Sequence, residues 1–444
     1  MNAPLVHKTQ RVLVGTVETS GFIPDLADGI ARLGHEVNTV MCVGNDNFPT
    51  HRYDFDVGEE VFDVAWPALF DEVSRLKRSP PRPRPDAPGL ERLRWAIAHH
   101  DVFVFVYASL WHDRRGPASQ YGAGREYAWL KRLGKRVVSF FVGPEARHAA
   151  AYDQEMARLG GGSQAMSQEL PRWADVPVSR TLRNLRRAER YSDAILSQPN
   201  QAGLALRPYT HLSMPVDLSG FTPEIPGREV PVVVHAPSSR NIKGTAHILA
   251  ALDALRAEGV RFELRLLDRV DNAQVRAALR EADVVIDQLH LPLHGRLGVE
   301  AMAAGCALVT CDRADFEPLP PSRPIAHIDP ECLRDSLRRV LTDRALRVAL
   351  AREGVAYARQ HHDHVVAAAR IFHALDGAPP DHRPMFFARH FRMPDGQRLP
   401  RAMLRMSDEV VMRHGLPHDA DIDDMVVRGL LSPSMRRRVV ERWV

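Results

Sequence analysis

The chain of 444 residues is poor in lysine, in paired cysteines and in long apolar runs. Only five of its 59 basic residues are lysines. None of the four cysteines has C-x-x-C spacing, so neither a zinc ribbon nor a thioredoxin-type redox site is predicted. No apolar stretch approaches the roughly 20 residues of a membrane-spanning helix. The opening residues, MNAPLVHKTQRVLVG, lack the pattern of a secretory signal. We therefore expect a cytoplasmic protein with reduced thiols.

The chain also lacks a large excess of positive or negative charge. The formal net charge of +4 is small for this length, which does not favour nucleic-acid binding and allows at most peripheral contact with a membrane. A G-x-G-x-x-G motif is missing after the first apolar run, where Gly15 and Gly21 stand six residues apart. Its absence argues against a dinucleotide-binding dehydrogenase.

The sequence does contain alternating strand-like and helix-like segments. Residues 11–15 predict a strand, residues 23–33 a helix and residues 36–43 the next strand, which is the pattern of a right-handed βαβ unit. A second series of the same kind starts near Val230. We predict an α/β protein with two doubly wound Rossmann-like domains. The predicted divisions are residues 1–222, residues 223–378 and an Arg-rich C-terminal extension, 379–444.

The turn after the apolar run Val232–Val234 suggests a phosphate site. It contains Ser239, Lys243 and Gly244, and Lys243 is one of the five lysines. A strand-to-helix turn exposes backbone N–H groups at the positive end of the helix dipole, which favours an anion. These three residues are therefore predicted to bind a phosphate. The alternative is a helix start with a solvated basic side chain.

A second segment, LHGRLGVEAMAAG, adds a turn with two glycines and a carboxylate. Gly295 and Gly298 would allow a ligand to approach the backbone closely. Glu300 is suited to accept hydrogen bonds from paired hydroxyls, as in a ribose. The alternative is a carboxylate that the dipole of its own helix favours.

The phosphate turn, the two glycines and the carboxylate follow parallel strands of one domain, and this combination resembles the family 4 glycosyltransferases of GT-B fold. EAMAAG (300–305) and Lys243-Gly244 match motifs of that family's nucleotide domain. Further similar segments bring the coverage to about residues 10–375: DGIARLGHEV, KRLGKRVVSFFVGPEAR, RYSDAILS and PVDLSGFTP. The resemblance implies two domains facing a cleft, an acceptor domain first and a nucleotide-sugar domain second.

The resemblance also implies a reaction and roles for residues. A nucleotide-diphosphate sugar would donate its sugar, with retention and without a metal or other cofactor, to a glycan, lipid-linked or other hydroxyl acceptor, as in cell-surface polysaccharide biosynthesis. Arg240 and Lys243 would neutralise the leaving diphosphate. Gly295 would donate its N–H to that diphosphate, and Glu300 would accept from the ribose. Glu145 and Arg147, at the end of an acceptor-domain strand, would face the cleft.

Three departures from the family pattern leave alternatives open. The family's first motif glutamate falls on Pro292, Arg240 stands closer to Lys243 than in the common Arg-x4-Lys form, and no Gly-Gly follows within residues 310–318. A GT-B protein that binds nucleotide or glycan without turnover is one alternative. A GT-B epimerase or phosphorylase is another, although a phosphorylase would need a cofactor lysine in a domain that has little lysine.

The remaining polar clusters support narrower predictions. Glu18, in the turn GTVETSG, opens on the cleft of the acceptor domain and is a candidate for holding an acceptor hydroxyl. The carboxylate pairs Asp54/Asp56 and Asp421/Asp423 and the histidines of 361–364 are interpreted as solvated surface groups. No metal site is predicted.

The extension contains enough aromatic, methionine and valine residues to pack on another surface. We predict packing against the chain's own N-terminal domain or against a second subunit, which would make a homo-oligomer. The alternative is attachment of Arg436–Arg438 to anionic lipid, but such clusters usually need a second membrane signal.

Overall fold

The computed structural model describes most of the chain. The described residues are 8–18, 20–43, 53–56, 66–84, 86–106, 125–143, 146–158, 177–198, 203–225, 227–268, 270–292, 294–312, 323–382, 399–417 and 420–443.

The first half of the chain builds a parallel sheet of seven strands in the order β3-β2-β1-β4-β5-β6-β7. Short runs of valine, isoleucine and phenylalanine favour buried parallel strands, and the side chains of β4 (VFVFV) are buried throughout. The strands are β1 (Arg11–Val17), β2 (Glu36–Val43), β3 (Phe55–Asp56), β4 (Val102–Val106), β5 (Arg136–Phe141), β6 (Ala194–Ser197) and β7 (Thr210–His211).

Helices cover both faces of this sheet, because apolar residues at helical spacing give each helix one buried side. They are α1 (Phe22–Arg32), α2 (Trp66–Arg75), α3 (Gly89–His99), α4 (Arg125–Arg132), α5 (Ala149–Arg158) and α6 (Val178–Tyr191). Two separate apolar clusters result, one on each face of the sheet.

The second half builds a parallel sheet of five strands in the order β12-β11-β10-β8-β9. Its strands are β8 (Val232–His235), β9 (Glu263–Leu266), β10 (Val284–Ile286), β11 (Ala307–Thr310) and β12 (Ile325–His327). Its helices are α7 (Arg240–Lys243), α8 (Thr245–Ala257), α9 (Asn272–Leu279), α10 (Arg296–Ala304), α11 (Leu333–Thr342) and α12 (Arg344–His361). The predicted fold class, two doubly wound α/β sheets in series, is confirmed.

The chain then returns to the first sheet. Helix α13 (His364–Leu375) packs against α1, where His364 Nε2 lies 2.7 Å from Asp28 Oδ2 and the ring of Phe372 lies on His35. The prediction assigned these residues to the second domain by chain order, whereas their packing places them on the first.

The C-terminal extension also packs on the first half. It contains α14 (Arg401–His414), α15 (Ile422–Val427) and α16 (Met435–Trp443). Met403 and Val410 of α14 share an apolar cluster with Leu182 of α6, and Arg186 donates to Ser407 Oγ at 3.1 Å. This agrees with the expectation that the extension packs against the N-terminal domain. Within the described residues, no helix is long and apolar enough to cross a membrane.

Candidate functional site

The turn between β8 and α8 has the local structure of a helix start. Ser239 is the N-cap of the short helix α7, and its Oγ accepts from the N–H of Ile242 at 3.3 Å. Gly244 ends α7 with φ +70°, and a Cβ there would lie 2.7 Å from the Cβ of Leu289. Only glycine therefore lets this turn lie against the segment that follows β10. Ser239 and Gly244 thus set the shape of the turn.

Lys243, at the end of α7, reaches the carboxyl end of β10. Its Nζ lies 2.5 Å from Asp287 Oδ1 and 3.0 Å from Gln288 Oε1. The Asp287 side chain is fully buried, whereas that of Lys243 keeps 11% exposure. The lysine is therefore held at the edge of the sheet where ligands bind in open α/β folds.

Asp287 also joins the turn of Lys243 to the glycine turn. Its Oδ2 accepts from the N–H of Gly295, the N-cap of α10, at 2.9 Å. We call this contact set of Lys243, Asp287 and Gly295 the Asp287 bridge. It brings two predicted site residues together through a residue that the sequence analysis missed. The polar pair Asp287-Gln288 directly after the buried strand Val284–Ile286 was the signal available.

Arg240 points to a different partner. Its guanidinium pairs with Asp268 at 2.9 and 3.2 Å, and its side chain is about half exposed. Arg240 and Lys243 share one short helix but contact separate carboxylates. Their joint action on a diphosphate stays a prediction.

Glu300 lies buried among donors. Its carboxylate accepts from Arg296 Nε at 2.9 Å and from Asn272 Nδ2 at 3.0 Å, and Arg276 Nε lies 3.3 Å away. The carboxylate charge is therefore balanced inside the protein, and a ribose would add to contacts that already exist. Binding of a ribose by Glu300 stays a prediction.

Gly298 has a packing role in α10. A Cβ at this position would lie 2.6 Å from His294 Cβ and 3.1 Å from Leu308 Cδ2. The missing side chain lets α10 pack closely on β11. Its predicted contact with a ligand is a separate matter and remains a prediction.

Arg296 connects the two halves of the molecule. Its Nη1 donates to Ser20 O at 2.8 Å and pairs with Asp25 Oδ2 of α1 at 2.8 Å, while its Nε holds Glu300. Burial opposes the charge of this guanidinium, but Asp25 and Glu300 outweigh burial and raise the pKa of Arg296. The sequence analysis did not single out Arg296, because its partners are distant in the sequence.

Glu18 is used as a helix cap. Its carboxylate accepts from Phe22 N–H at 2.9 Å, Ile23 N–H at 3.3 Å and Tyr53 OH at 3.0 Å. Burial raises the pKa of Glu18, and these hydrogen bonds partly oppose that effect. The described contacts give this residue a structural role, and its contact with an acceptor remains a prediction.

The other residue predicted to contact the acceptor, Glu145, lies outside the described residues. Its neighbour Arg147 is buried, with the guanidinium over the Tyr152 ring at 4.9 Å.

The carboxylate pairs set aside as surface groups have local partners. Asp54 accepts from Thr39 N–H at 2.9 Å and pairs with Arg82 at 2.7 Å. Asp421 caps α15 by accepting from the N–H groups of Asp423 and Asp424.

The sequence analysis expected the histidines of 361–364 to lie on the surface, but two of them do not. His362 and His364 are both buried. His362 Nε2 lies 3.1 Å from His294 Nε2, and His362 Nδ1 accepts from the N–H of Met214. Burial lowers the pKa of His362 well below its ordinary value. The expectation of surface groups is wrong for these two residues, because the chain returns here from the second sheet to the first.

One cluster has the composition of a metal site, with ligand atoms of His327, Asp329 and Cys332 within 4.8 Å of one another. His327 Nδ1 accepts from the N–H of Asp312 at 2.9 Å, so the ring proton is on Nε2, which faces Asp329 at 3.1 Å. Asp329 also accepts from the N–H groups of Glu331 and Cys332. The cluster is a hydrogen-bonded turn before α11.

Comparison with known proteins matches this second half to a family. Residues 239–373 fit a family model described as "Glycosyl transferase-like". The match begins at the N-cap of α7 and includes the Asp287 bridge and Glu300. A comparison with curated proteins finds no match.

Several solved structures are similar to this chain, and one of them has a TM-score above 0.5. Sucrose-phosphate synthase from Thermosynechococcus elongatus is similar over 84% of this chain and 100% of its own, at 13% identity and a TM-score of 0.51. An alpha-glucosyltransferase in complex with UDP-glucose and DNA covers 83% and 100% at 13% identity, with a TM-score of 0.49. WaaG, a glycosyltransferase involved in lipopolysaccharide biosynthesis, covers 83% and 100% at 14% identity, with a TM-score of 0.40. The family match extends the resemblance to glycosyltransferases over the second half of the chain, and the structural likeness confirms the predicted GT-B fold.

Proposed function

We propose that this protein transfers a sugar from a nucleotide-diphosphate sugar to a hydroxyl acceptor, with retention and without a metal cofactor. The observation that supports this proposal is the Asp287 bridge. It places the ammonium of Lys243 beside the N-terminus of α10, at the carboxyl end of parallel strands. A cation and a helix N-terminus at one place suit a diphosphate.

Charge neutralisation is the chemistry that this arrangement can supply. As the bond between sugar and diphosphate breaks, negative charge grows on the leaving group, and preorganised donors lower the barrier most where that charge develops. The Lys243 ammonium and the N–H groups of residues 297 and 298, in the first turn of α10, would be these donors. Arg240 would join them if it left Asp268.

The acceptor would bind to the first half of the molecule. Arg296 already joins α10 to Ser20 and Asp25 there, so the start of α10 lies next to the turn between β1 and α1. Glu145 and Glu18 are the carboxylates that we propose for the acceptor side. For Glu18 the role requires release from its cap.

A second candidate function is binding of a nucleotide or glycan without turnover. Pro292 favours it, because the family's carboxylate near the donor sugar is missing at that position. The two functions differ in whether a bound nucleotide sugar is ever cleaved.

A hydrolysis screen over nucleotide sugars separates these functions. We expect one donor to be cleaved slowly in water without an acceptor, at an unchanged rate in excess EDTA, and NMR of the released sugar should show the donor's anomeric configuration first. Lys243→Ala is the control for contaminating hydrolases. Tight binding of a nucleotide sugar with no cleavage, with acceptor pools present, would support the non-catalytic function.

A further inference from the structure

We propose that Asp287 is a positioning residue, which fixes Lys243 and the N-terminus of α10 as one anion-binding unit. This inference rests on the proposed function and deepens it. The family pattern gave no reason to select position 287, so the role is derived from the contacts alone.

Asp287 cannot easily leave its place. It follows β10 directly, its own N–H donates to Val309 O at 2.9 Å, and its side chain is fully buried. One carboxylate oxygen binds a cation and the other binds the N–H of Gly295. Departure of the lysine would leave a buried carboxylate without its counter-ion, which is unfavourable. Asp287 and Lys243 therefore stay paired when a ligand binds.

The pairing decides which donors remain for a ligand. A lysine ammonium has three N–H donors, and Asp287 Oδ1 and Gln288 Oε1 use two of them. Among the contacts of the described residues, one Lys243 donor is left, on a side chain that keeps 11% exposure. The single N–H of Gly295 is occupied by Asp287 Oδ2. A diphosphate would therefore use the third Lys243 donor and the N–H groups of residues 297 and 298, and not that of Gly295 as the resemblance implied.

Substitution Asp287→Asn tests this role. The amide oxygen of the asparagine can accept from Lys243 or from the N–H of Gly295. Its amide nitrogen, which is a donor, would then face the remaining donor of the two. We expect affinity for a nucleoside diphosphate to fall about tenfold or more, because a small displacement of such groups is costly. Asp253→Asn is the matched control, since Asp253 pairs with Arg256 at 2.9 Å on the exposed side of α8. It should change affinity less than about twofold.

A double-mutant cycle separates positioning from a structural role. If Asp287 acts through Lys243, Asp287→Asn should add no loss of affinity to Lys243→Ala. Thermal stability of the Lys243 and Asp287 variants gives a second measurement. Lys243→Ala leaves a buried carboxylate unpaired and should lower Tm, and Asp287→Asn in that background should restore part of it.

The measurement is calorimetry with inorganic pyrophosphate and with nucleoside diphosphates, beside thermal melts of all four proteins. Unchanged or tighter binding by Asp287→Asn, or additive losses in the cycle, would overturn the inference. A parent that binds a diphosphate but cleaves no nucleotide sugar would refute the proposed transfer while the cycle still decides the role of Asp287. A parent that binds no diphosphate would overturn both.

Discussion

Two strand-to-helix turns of this molecule each bring a buried carboxylate to a helix N-terminus. In the first half, Glu18 follows β1 and binds the N–H groups of Phe22 and Ile23 at the start of α1. In the second half, Asp287 follows β10 and binds the N–H of Gly295 before α10. They differ in the remaining partner, which is a neutral Tyr53 hydroxyl for Glu18 and the Lys243 ammonium for Asp287.

Because of that difference, Glu18 caps a helix, whereas Asp287 holds a lysine in place. Glu18 supplies the negative charge that the N-terminus of α1 attracts, so this turn has already bound its anion. Asp287 neutralises one cation but leaves a lysine donor and the N–H groups of residues 297 and 298 for a ligand. A carboxylate at a helix N-terminus can therefore occupy an anion-binding site. If it is paired with a cation, it can instead leave donors available for a second anion.

Among the changes that test this difference between the two turns, removal of the Lys243 ammonium should have the largest effect. We expect Lys243→Ala to lower kcat by about 10²-fold or more, because it removes charge aimed at the leaving diphosphate. The control is Lys131→Ala, since Lys131 pairs with Asp193 at 2.7 Å on the first half. Donor hydrolysis per folded protein is the measurement. An unchanged kcat for Lys243→Ala would contradict the phosphate role of the second turn.

Removal of the first carboxylate should act on stability instead. Glu18→Ala takes away the cap of α1, and the loss of a cap costs about 1–2 kcal/mol. Urea unfolding of parent and variant gives the free energy of unfolding. If Glu18→Ala kept its stability but lost donor hydrolysis measured without an acceptor, the first turn would belong to the donor site and the contrast with the second turn would be wrong.

A smaller effect is expected beside the second turn. Glu300→Gln should weaken binding of a nucleoside diphosphate several-fold, since an amide is a poorer acceptor for ribose hydroxyls. It also removes the carboxylate charge that faces Arg276 and leaves Arg296 paired with Asp25 alone. Calorimetry with the free nucleotide checks this in a variant whose fold is verified. Equal affinities would show that Glu300 serves only to hold those arginines.

The smallest expected effect is on the pH dependence of the free energy of unfolding. We compare one buried histidine from each half of the chain. Burial lowers the pKa of His100 to about 4 and that of His294 to about 4. Each histidine is neutral in the folded protein, so the unfolded chain binds protons first as pH falls from about 6.5 to about 4. Stability should be fully present above that window and be lost through it, by about 1 kcal/mol per histidine near pH 5.5.

Urea melts at several pH values measure this loss. His294→Asn should flatten the acid slope in the same way as His100→Asn, provided that each variant is compared with its own neutral-pH stability. A slope unaffected by either substitution would mean that these rings are not neutral in the folded state.

Much of the fold could be predicted from the sequence because it follows from local periodicity. The apolar run Val232–Val234 became β8, the EAMAAG segment became the end of α10 and its stop at Gly305, and the first βαβ unit formed as expected. The placement of α13 on α1 was not predictable from periodicity, since an apolar helix face does not specify which sheet will bury it.

For the site, the sequence by itself determined the local features: a lysine at the end of a strand-to-helix turn, glycines where the backbone must approach, and a carboxylate on the next helix. The tertiary structure alone decided the partners. Lys243 and Asp287 are 44 residues apart, and Arg296 meets Ser20 across 276 residues. Turns and helices form from contacts within a few residues, whereas these pairs exist because the strand order places β8 beside β10 and because the two halves of the chain meet.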